Sequence, residues 1–443
     1  MSQITIANRL SSCHVEVGKE HTTKINVIVG ANSEEQVELE LKKIEAAANL
    51  GVHTIIDLSI VRTQPALWQL GRELFPELAF GKVAPILVAV DNDGDVPPEK
   101  LWEEIKWSVL AGVDYMTLNL IPMKLKDFEV VAERACPTTS RQGGVLLKYM
   151  MRHQTDNPYG PIMDDILSLF REYNVTMHIG STFRSSGITE AFDRAHLWEL
   201  DRQMEMYQRA NEAGVQAIVE PISHQPLKDI GPCIDRLRKD FGEYVPFQML
   251  GPIVTEVNFD CDHYASASGA AVAAMHNVGK ITTIPPREHV GFPDLQDTVS
   301  GIKATLTSVQ AGDLCRLPEL MERDQRILEE RAGRQSCNQH ARQRGCNKCQ
   351  ELCPLLVQHP ACMLERTSRE CQTKKRKKKW SSRTSATEHR ASTRKPSSMD
   401  RESLSRMPVS SARRRNLAET APRSSTGRTT RADADEPIEP EDY

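Results

Sequence analysis

Three cysteines towards the end of the chain are the residues whose type and spacing most directly suggest chemistry. Cys346, Cys349 and Cys353 lie within eight residues, and Pro354 follows the last of them. Thiolates at this spacing can surround one metal centre, and the C-x2-C-x3-C-P pattern resembles the end of a bacterial ferredoxin motif. The pattern predicts an iron–sulfur cluster, with a structural zinc site as the alternative. Three ligands would leave one iron of a four-iron cluster open, whereas a fourth from Cys337 would close it.

Two histidines in polar segments form a second candidate group. His224 occurs in EPISHQPL and His263 in FDCDHYASASGAA. Neutral imidazole is a good ligand for zinc or iron, and Glu220, Asp260 and Asp262 are close enough in sequence to serve as further ligands or to orient the imidazoles. The pair is therefore a candidate metal site, with a purely structural role for each histidine as the alternative.

Further polar side chains occur where predicted strands end. Charged residues that follow apolar strands are costly to bury without partners, so we expect them to share one polar site, although any of them could instead form a structural ion pair. In a barrel of parallel strands, catalytic groups lie at these positions. They are Asn26, Asp57, Asn119, Arg184, Glu220, His224, Thr255, Glu288 and His289.

Eight short apolar runs alternate with longer helical patterns along the chain. This alternation is typical of a parallel sheet with crossover helices, and eight repeats are the number that a closed (β/α)8 TIM barrel of the α/β class needs. An open doubly wound sheet is the alternative, but no glycine-rich phosphate fingerprint follows the first strand. The predicted strands are Lys24–Gly30, His53–Ser59, Ala84–Val90, Tyr115–Leu120, Val175–Gly180, Ala217–Ile222, Phe247–Ile253 and Lys280–Pro286.

The clearest helical pattern is Ser33–Leu50. Its first residue is suited to cap the helix, Glu35 falls in the first turn, and Gly51 suits the C-terminal stop. The segments Thr189–Gly214 and Asp294–Gly312 show comparable patterns.

The composition indicates an acidic protein with reduced thiols. The net charge is −4, but 18 of the 56 basic and 10 of the 60 acidic residues lie from Cys371 onward, which leaves −12 on the rest. We therefore expect no specific nucleic-acid partner. Eleven cysteines without a secretory signal in Met1–Arg9 favour a metal or cluster site over disulfides. No apolar run approaches the roughly 20 residues of a membrane span, so a cytoplasmic protein is expected.

The chain divides into four predicted segments. An N-terminal segment (1–23) precedes the catalytic barrel (24–315), a helical arm with the cysteine motif follows (316–357), and a tail completes the chain (358–443). The tail contains the basic run Lys374–Lys379 and an acidic tip at Asp433–Asp442, with little to bury, so we expect it to be disordered. The basic run could bind nucleic acid or an anionic surface, but a solvated tail with no specific role is the better interpretation of six residues in a low-complexity context. A shifted reading frame near the end of the gene would also produce such a tail.

Between Lys24 and Cys353 the sequence resembles phosphomethylpyrimidine synthase of thiamine biosynthesis and its paralogue, 5-hydroxybenzimidazole synthase of anaerobic cobamide biosynthesis. Eight matching stretches occur in order and at similar spacing along about three quarters of the chain. They are KINVIVG, TIIDLS, SRQGG, NVTMHIG, GVQAIVEPISHQPL, PFQMLGPIVTEV, DHYASASGAA and PPREHVGFPD.

The resemblance implies a radical S-adenosylmethionine lyase that rearranges 5-aminoimidazole ribotide to hydroxymethylpyrimidine phosphate. It implies that Cys346, Cys349 and Cys353 hold a [4Fe–4S] cluster, that S-adenosylmethionine binds the open iron, and that His224 and His263 hold a divalent metal, zinc or iron. It also implies a flavodoxin- or ferredoxin-type electron donor, and we expect a homodimer. Among the predicted site residues, Glu220 and Arg184 are assigned catalytic roles, and the substrate-binding set is Asn26, Ile56, Asn119, Ser140, Arg141, Gly143, Arg184, Glu220 and Gln248.

The chain departs from the family pattern at several of these positions. The family has methionine at Ile56, tyrosine at Leu87, histidine at Asn119 and tyrosine at Gln248. Its Asp-Gly-Leu-Arg loop reads Ser-Thr-Phe-Arg at 181–184, its Gly-Pro-Gly-His turn reads Pro-Ile-Ser-His at 221–224, and its cluster motif is one residue longer. Loss of several polar anchors would weaken recognition of a ribotide, because each hydrogen bond to a charged group contributes about 1.5–3 kcal/mol.

These departures suggest a divergent paralogue that keeps the metal pair and the cluster but has an altered substrate or product. The benzimidazole-forming reaction is one alternative. A non-catalytic barrel that assists an active subunit is another, favoured by the altered pocket and opposed by the retained histidines, Glu220 and cysteines. A hydrolytic metalloenzyme that uses the histidines alone is a third.

Overall fold

Eight parallel strands surround the centre of the fold within the residues that the computed structural model describes, namely 3–61, 63–83, 95–239, 244–257 and 260–334. Two short antiparallel strands precede them. In chain order the strands are β1 (Gln3–Ile6), β2 (Val15–Gly18), β3 (Lys24–Val29), β4 (Thr54–Asp57), β5 (Ala79–Val83), β6 (Tyr115–Leu118), β7 (Thr176–Ile179), β8 (Ala217–Val219), β9 (Gln248–Leu250) and β10 (Lys280–Thr282).

The parallel strands close into a barrel. Neighbours along the chain pair with each other from β3 to β8, β10 pairs with both β3 and β9, and Lys280 lies opposite Lys24 in register. A parallel bridge between Val219 and Phe247 joins β8 to the segment that enters β9, which completes the ring. The prediction of a (β/α)8 barrel rather than an open sheet is therefore confirmed.

Helices cover the outside of the barrel. Those of eight residues or more in the described ranges are α1 (Val37–Asn49), α2 (Leu67–Leu74), α3 (Pro98–Leu110), α4 (Arg141–His153), α5 (Met163–Tyr173), α6 (Arg194–Glu212), α7 (Ile230–Lys239), α8 (Asp262–Met275), α9 (Leu295–Asp313) and α10 (Met321–Arg334).

The helix starts differ in two respects from the predicted ones. The helix predicted from Thr189 begins at Arg194, after a 3-10 turn at Ile188–Glu190. Ser33 precedes a short 3-10 turn, Glu34–Gln36, rather than capping α1 itself. Gly51 follows α1 with a φ of +79°, the left-handed conformation that suits a helix stop. Asp294 caps α9 as its side chain accepts a hydrogen bond from the amide of Asp297.

Successive side chains of each barrel strand alternate between the helical layer and the interior. In β3, Ile25, Val27 and Val29 pack in the main core against the helices, whereas Asn26 and Ile28 face inward. This two-residue period is the pattern expected of a sheet whose two faces are both covered. The interior is consequently the place where polar side chains from different strands can meet.

The third barrel strand is β5, which the hydrophobic pattern did not predict. Gly81 and Lys82 interrupt its apolar run, yet both are explained by packing. The ring of Tyr115 occupies the space that a side chain at position 81 would need, and Lys82 forms a buried ion pair with Glu104. The strand predicted at Ala84–Val90 lies outside the described residues.

Residues 3–23 close one end of the barrel. Strands β1 and β2 pair as a hairpin whose Ile4, Ile6 and Val17 belong to one apolar cluster with Tyr115 and Ile218 of the barrel. The hairpin and its loop bond to residues that lie just before barrel strands, for example through the Oε1 of Gln216, which accepts from the amide of Thr5, and through Asp114, which accepts from Asn8. The hairpin therefore covers the amino ends of the strands, and the carboxyl ends lie at the opposite end of the barrel.

The helical arm begins with α10, which is the last described element. The cysteines of the cluster motif, the rest of the arm and the tail from 358 lie outside the described residues, so the segment boundaries stay predictions. No helix in the part of the chain that the structure describes is long and apolar enough to cross a membrane.

Candidate functional site

Asn119 joins three elements at the carboxyl end of the barrel. It follows β6, and its Nδ2 lies 3.1 Å from the Oγ of Ser140, 2.9 Å from the carbonyl oxygen of Ser181 and 3.0 Å from the Oγ1 of Thr182. An amide side chain that meets three acceptors fixes the relative position of β6, the start of α4 and the loop after β7. Asn119 and Ser140, both predicted to bind substrate, are thus brought together.

The start of α4 approaches the 181–184 loop closely. The Oγ of Ser140 caps the helix by accepting a hydrogen bond from the amide of Gly143 at 3.1 Å. A Cβ at position 143 would lie 2.8 Å from Cγ2 of Thr182, so glycine is required for this contact. Arg141 is exposed beside them. A helix N-terminus with a hydroxyl and a guanidinium is suited to an anion such as phosphate.

Arg184 and Glu220 form an ion pair above the barrel interior. The NH1 of Arg184 donates to the Oε1 of Glu220 at 2.9 Å, and both side chains are largely buried. The other carboxylate oxygen, Oε2, lies 3.7 Å from the Nε2 of His178 on β7. The two residues predicted to be catalytic therefore touch each other, and Glu220 also faces a buried imidazole.

Two residues that the sequence did not point to hold this loop in place. The carboxylate of Glu199 accepts the amides of Thr182 and Phe183 at 2.6 and 2.8 Å, and burial raises the pKa of Glu199 to about 7. Arg134 donates to the carbonyl oxygen of Arg184 at 3.1 Å. Both lie in helical or loop segments far from any strand end, so the rule that located the other site residues could not find them.

Asn26 is buried inside the barrel within a closed set of hydrogen bonds. Its Oδ1 accepts from the hydroxyls of Thr54 and Tyr115, each at 2.7 Å, and its Nδ2 donates to the Oγ1 of Thr282 at 3.0 Å. These bonds already orient the amide that was predicted to bind substrate. Its contact with a substrate stays a prediction.

His224 meets His289 rather than standing alone. The ring centroids are 5.5 Å apart, the Nδ1 of His224 lies 2.9 Å from the Oε1 of Glu256, and the Nδ1 of His289 lies 3.1 Å from the Oδ1 of Asp262. A carboxylate on one ring nitrogen orients an imidazole whose other nitrogen can bind a metal. Both histidines show this arrangement at Nδ1.

His263 lies on α8 with its ring 3.9 Å from that of Tyr264, measured between centroids. Its predicted pairing with His224 stays a prediction. Across the described ranges, no group of three or more His, Cys, Asp or Glu side chains is arranged to hold a metal ion. His289 was one of the polar residues expected at a strand end, and its approach to His224 depends on the barrel bringing the ends of β8 and β10 together.

The other predicted positions differ in their surroundings. Ile56 is buried in the apolar cluster that the N-terminal hairpin covers, and Gln248 is buried on β9 with no hydrogen-bond partner for its Oε1 among the described residues. Asp57 accepts the amides of Ser59 and Trp68 and so shapes the loop after β4. The cluster ligands Cys346, Cys349 and Cys353 lie outside the described residues.

Comparison with known proteins places the chain in a family. Residues 3–359 match the model of the radical SAM ThiC family. The phosphomethylpyrimidine synthase of Methanopyrus kandleri is 33% identical over 327 residues, 71% of this chain and 75% of that protein. That of Natronomonas pharaonis is 32% identical over 67% of this chain and 62% of its own length. The chain thus spans between about three fifths and three quarters of these relatives.

Among solved structures, a dihydropteroate synthase from Thermus thermophilus is similar with a TM-score of 0.39 and 10% identity, over 69% of this chain and 99% of that one. This likeness says nothing about activity. The match to the family model covers most of the chain, including every described element of the barrel. The chain belongs to the radical SAM ThiC family.

Proposed function

We propose that the protein is a radical S-adenosylmethionine carbon–carbon lyase of the phosphomethylpyrimidine synthase type, which converts 5-aminoimidazole ribotide to hydroxymethylpyrimidine phosphate. The observation that carries the proposal is the assembly of Ser140, Gly143, Arg184 and Glu220 at the carboxyl end of the barrel, at positions that match the family motifs. The names of the relatives support the same activity.

The first turn of α4 is proposed to hold the substrate phosphate. The Ser140 cap takes up the amide of Gly143, so the amides of Arg141 and Gln142 would donate to the phosphate at the positive end of the helix dipole, and exposed Arg141 adds a positive charge. Phosphate contacts at this rim would fix one end of a ribotide while its imidazole ring points towards Glu220.

Glu220 is proposed to orient the ring and to exchange protons with it. Arg184 stabilises the carboxylate at 2.9 Å, so Glu220 can accept a hydrogen bond from an amino group without a change in the loop. Both side chains of the pair are largely buried, which strengthens these contacts.

The cofactors proposed are a [4Fe–4S] cluster on Cys346, Cys349 and Cys353 with S-adenosylmethionine, and a divalent metal, zinc in the first instance. When bound, the cluster and S-adenosylmethionine supply one-electron chemistry that the barrel side chains cannot provide. The contact between His224 and His289, each backed by a carboxylate, supports this pair as the metal ligands.

The activity is tested by anaerobic reconstitution with iron and sulfide, followed by EPR of the reduced protein and turnover of 5-aminoimidazole ribotide with S-adenosylmethionine and reductant. A [4Fe–4S]+ signal that changes on addition of S-adenosylmethionine, together with hydroxymethylpyrimidine phosphate, is expected. Formation of 5-hydroxybenzimidazole would instead identify the paralogous reaction. A cluster that ignores S-adenosylmethionine would favour the non-catalytic barrel, and activity that survives Cys349→Ala would favour a hydrolytic metalloenzyme.

The metal pair is tested by zinc content of variants after equilibration with one equivalent of zinc. His224→Ala and His289→Ala are each expected to lose most of the metal, whereas His263→Ala should keep it. Retention by His289→Ala together with loss by His263→Ala would instead restore the pairing predicted from the sequence. Melting temperatures of the metal-free variants serve as the folding control.

The partners proposed are a small electron donor of the flavodoxin or ferredoxin type and a second copy of this chain, in the cytoplasm. Reduction of the reconstituted cluster by a purified flavodoxin, and the mass of the full chain by light scattering, test the first two. A monomer at micromolar concentration would exclude the dimer.

A further inference from the structure

The barrel interior contains four buried polar atoms without hydrogen-bond partners among the described residues. They are the Nζ of Lys280 on β10, the Nε2 of His178 and the Oγ1 of Thr176 on β7, and the Oε1 of Gln248 on β9. The exposed fractions of Lys280, His178 and Gln248 are 0%, 1% and 2%. Buried polar atoms are paired in the great majority of cases, so this group on the inner faces of the strands requires an explanation.

Lys280 points across the interior. Its Nζ lies 3.7 Å from the centroid of the Tyr115 ring, and Tyr115 belongs to β6, which lies opposite β10 in the ring of strands. Gln248 is its register partner on the adjacent strand β9. Burial lowers the pKa of Lys280 well below its ordinary value, while Glu220 opposes that shift. The amine therefore lies within electrostatic reach of the proposed catalytic carboxylate.

His178 lies on the other side of Glu220. Its Nδ1 is 2.5 Å from the Oγ1 of Thr117, and its Nε2 is 3.7 Å from the Oε2 of Glu220. Burial and the charge of Lys280 lower the pKa of this imidazole well below the usual value. Arg184 already forms an ion pair with Glu220, so Lys280 has no carboxylate of its own to pair with.

A structural role does not account for the lysine. Apart from the face of the Tyr115 ring, the buried amine contacts no partner among the described residues, and an aliphatic side chain of the same length would fill the space without the cost of burying it. The arrangement becomes favourable when an anion arrives from the open end of the barrel, because Lys280 can then take up a proton and pair with it, and the Nε2 of His178 can donate a second hydrogen bond.

We propose that Lys280 and His178 form a basic floor that binds a carboxylate on the substrate, so that this chain selects a ribotide whose imidazole ring carries a carboxylate group. The inference rests on the proposed function in that it places the phosphate at α4 and the ring beneath Glu220. In this proposal, an amine that becomes charged when the carboxylate binds takes the place of the polar family residues that this chain lacks.

The test is isothermal titration calorimetry of the purified full chain with two probes, 5-aminoimidazole ribotide and the same ribotide with a 4-carboxylate. The carboxylated probe is expected to bind about 10- to 100-fold more tightly, the factor that corresponds to a hydrogen bond to a charged group. Lys280→Met should remove that preference and leave binding of the plain ribotide unchanged within about twofold. Its melting temperature should equal or exceed that of the wild type.

Lys24→Met is the matched control. Lys24 is the register partner of Lys280 on β3, but the acids that act on it are Asp313 and Glu16 rather than Glu220. The control should keep the preference for the carboxylated probe. Equal affinities of the wild type for both probes, a preference that survives Lys280→Met, or a large fall in the melting temperature of that variant would each overturn the proposal.

The calorimetric outcome is separate from the turnover assay. A protein that turns over the plain ribotide but shows no preference refutes the basic floor and leaves the proposed function standing. A protein that prefers the carboxylated probe and does not form hydroxymethylpyrimidine phosphate supports the basic floor and refutes the proposed function. If neither probe binds, the basic floor is refuted.

Discussion

Glu199 illustrates how one buried carboxylate positions the residues around a site without touching a ligand. It accepts the backbone amides of Thr182 and Phe183, and so holds the loop that carries Arg184 towards Glu220. The cost is a carboxylate in an apolar environment, where burial raises the pKa of Glu199 from 4.5 to about 7. The ionisation of a single residue is therefore linked both to stability and to the geometry of the site.

The pH dependence of stability should reveal this residue. Because the pKa of Glu199 is higher in the folded state, the folded protein binds more protons between pH 4.5 and 7, and the contribution of Glu199 to stability falls as the pH rises through that window. The size of the effect is about 3 kcal/mol. Urea denaturation of the wild type and of Glu199→Gln from pH 4.5 to 8 measures it.

The variant should be less stable than the wild type at pH 4.5, because the Nε2 amino group of glutamine cannot accept the second backbone hydrogen bond. The difference between the two proteins should shrink as the pH rises from 4.5 to 7, since only the wild type carries the titrating carboxyl. Parallel curves for the two proteins would show that Glu199 does not titrate in this range.

At the scale of elements, the contact between α4 and the 181–184 loop offers two adjacent glycines with opposite surroundings. A Cβ at Gly143 would lie 2.8 Å from Thr182 and 3.0 Å from Ser140, whereas a Cβ at Gly144 meets nothing within 4 Å. Both glycines lie in the first turn of the same helix. They therefore separate the effect of close packing from that of helix propensity.

Gly143→Ala is expected to destabilise the protein by about 1–3 kcal/mol, because the helix start must move away from the loop. Gly144→Ala should instead stabilise it by about 0.5–1 kcal/mol, since alanine is the better helix former. Urea denaturation measures both, and calorimetry with 5-aminoimidazole ribotide should show weaker binding only for the first variant. Equal effects of the two substitutions would contradict the packing that the structure shows.

The elements that could be predicted are those whose signal is local. Runs of β-branched residues located seven of the eight barrel strands. Asp294 indicated the start of α9, and Gly51 indicated the end of α1. The strand β5 escaped because Gly81 accommodates Tyr115 from another strand. The contact of His224 with His289 and the burial of Lys280 against Tyr115 also depend on closure of the barrel, which no spacing along the chain encodes.

At the scale of the whole molecule, Asp114 connects the N-terminal hairpin to the barrel. Its Oδ1 accepts from the amide of Asn8, and its Oδ2 accepts from the amide of Phe80 and from Arg72 at 2.7 Å. The carboxylate is fully buried. One side chain thus unites the segment that closes the barrel end, the strand β5 and the helix α2.

Asp114→Asn should lower the free energy of unfolding by about 3–5 kcal/mol, because it leaves Arg72 without its charged partner and removes one acceptor. Loss of the hairpin contact should also expose the apolar end of the barrel to dyes such as ANS. Lys124→Met is the control, since the exposed pair that Lys124 forms with Asp156 contributes at most about 1 kcal/mol. A small effect for Asp114→Asn would show that the hairpin docks through its apolar side chains alone.

The register between β3 and β10 also constrains when the protein can fold. Lys24 on β3 lies opposite Lys280 on β10 in the strand register, so the first barrel strand can pair on this side only after 256 more residues have been synthesised. At synthesis rates of about 5–20 residues per second, the ring stays open for roughly 13–50 s on the ribosome. Throughout that interval the edge of β3 and the apolar side chains of the hairpin have no completed barrel to bind. Chaperone occupancy of the nascent chain should therefore persist until translation has passed residue 282.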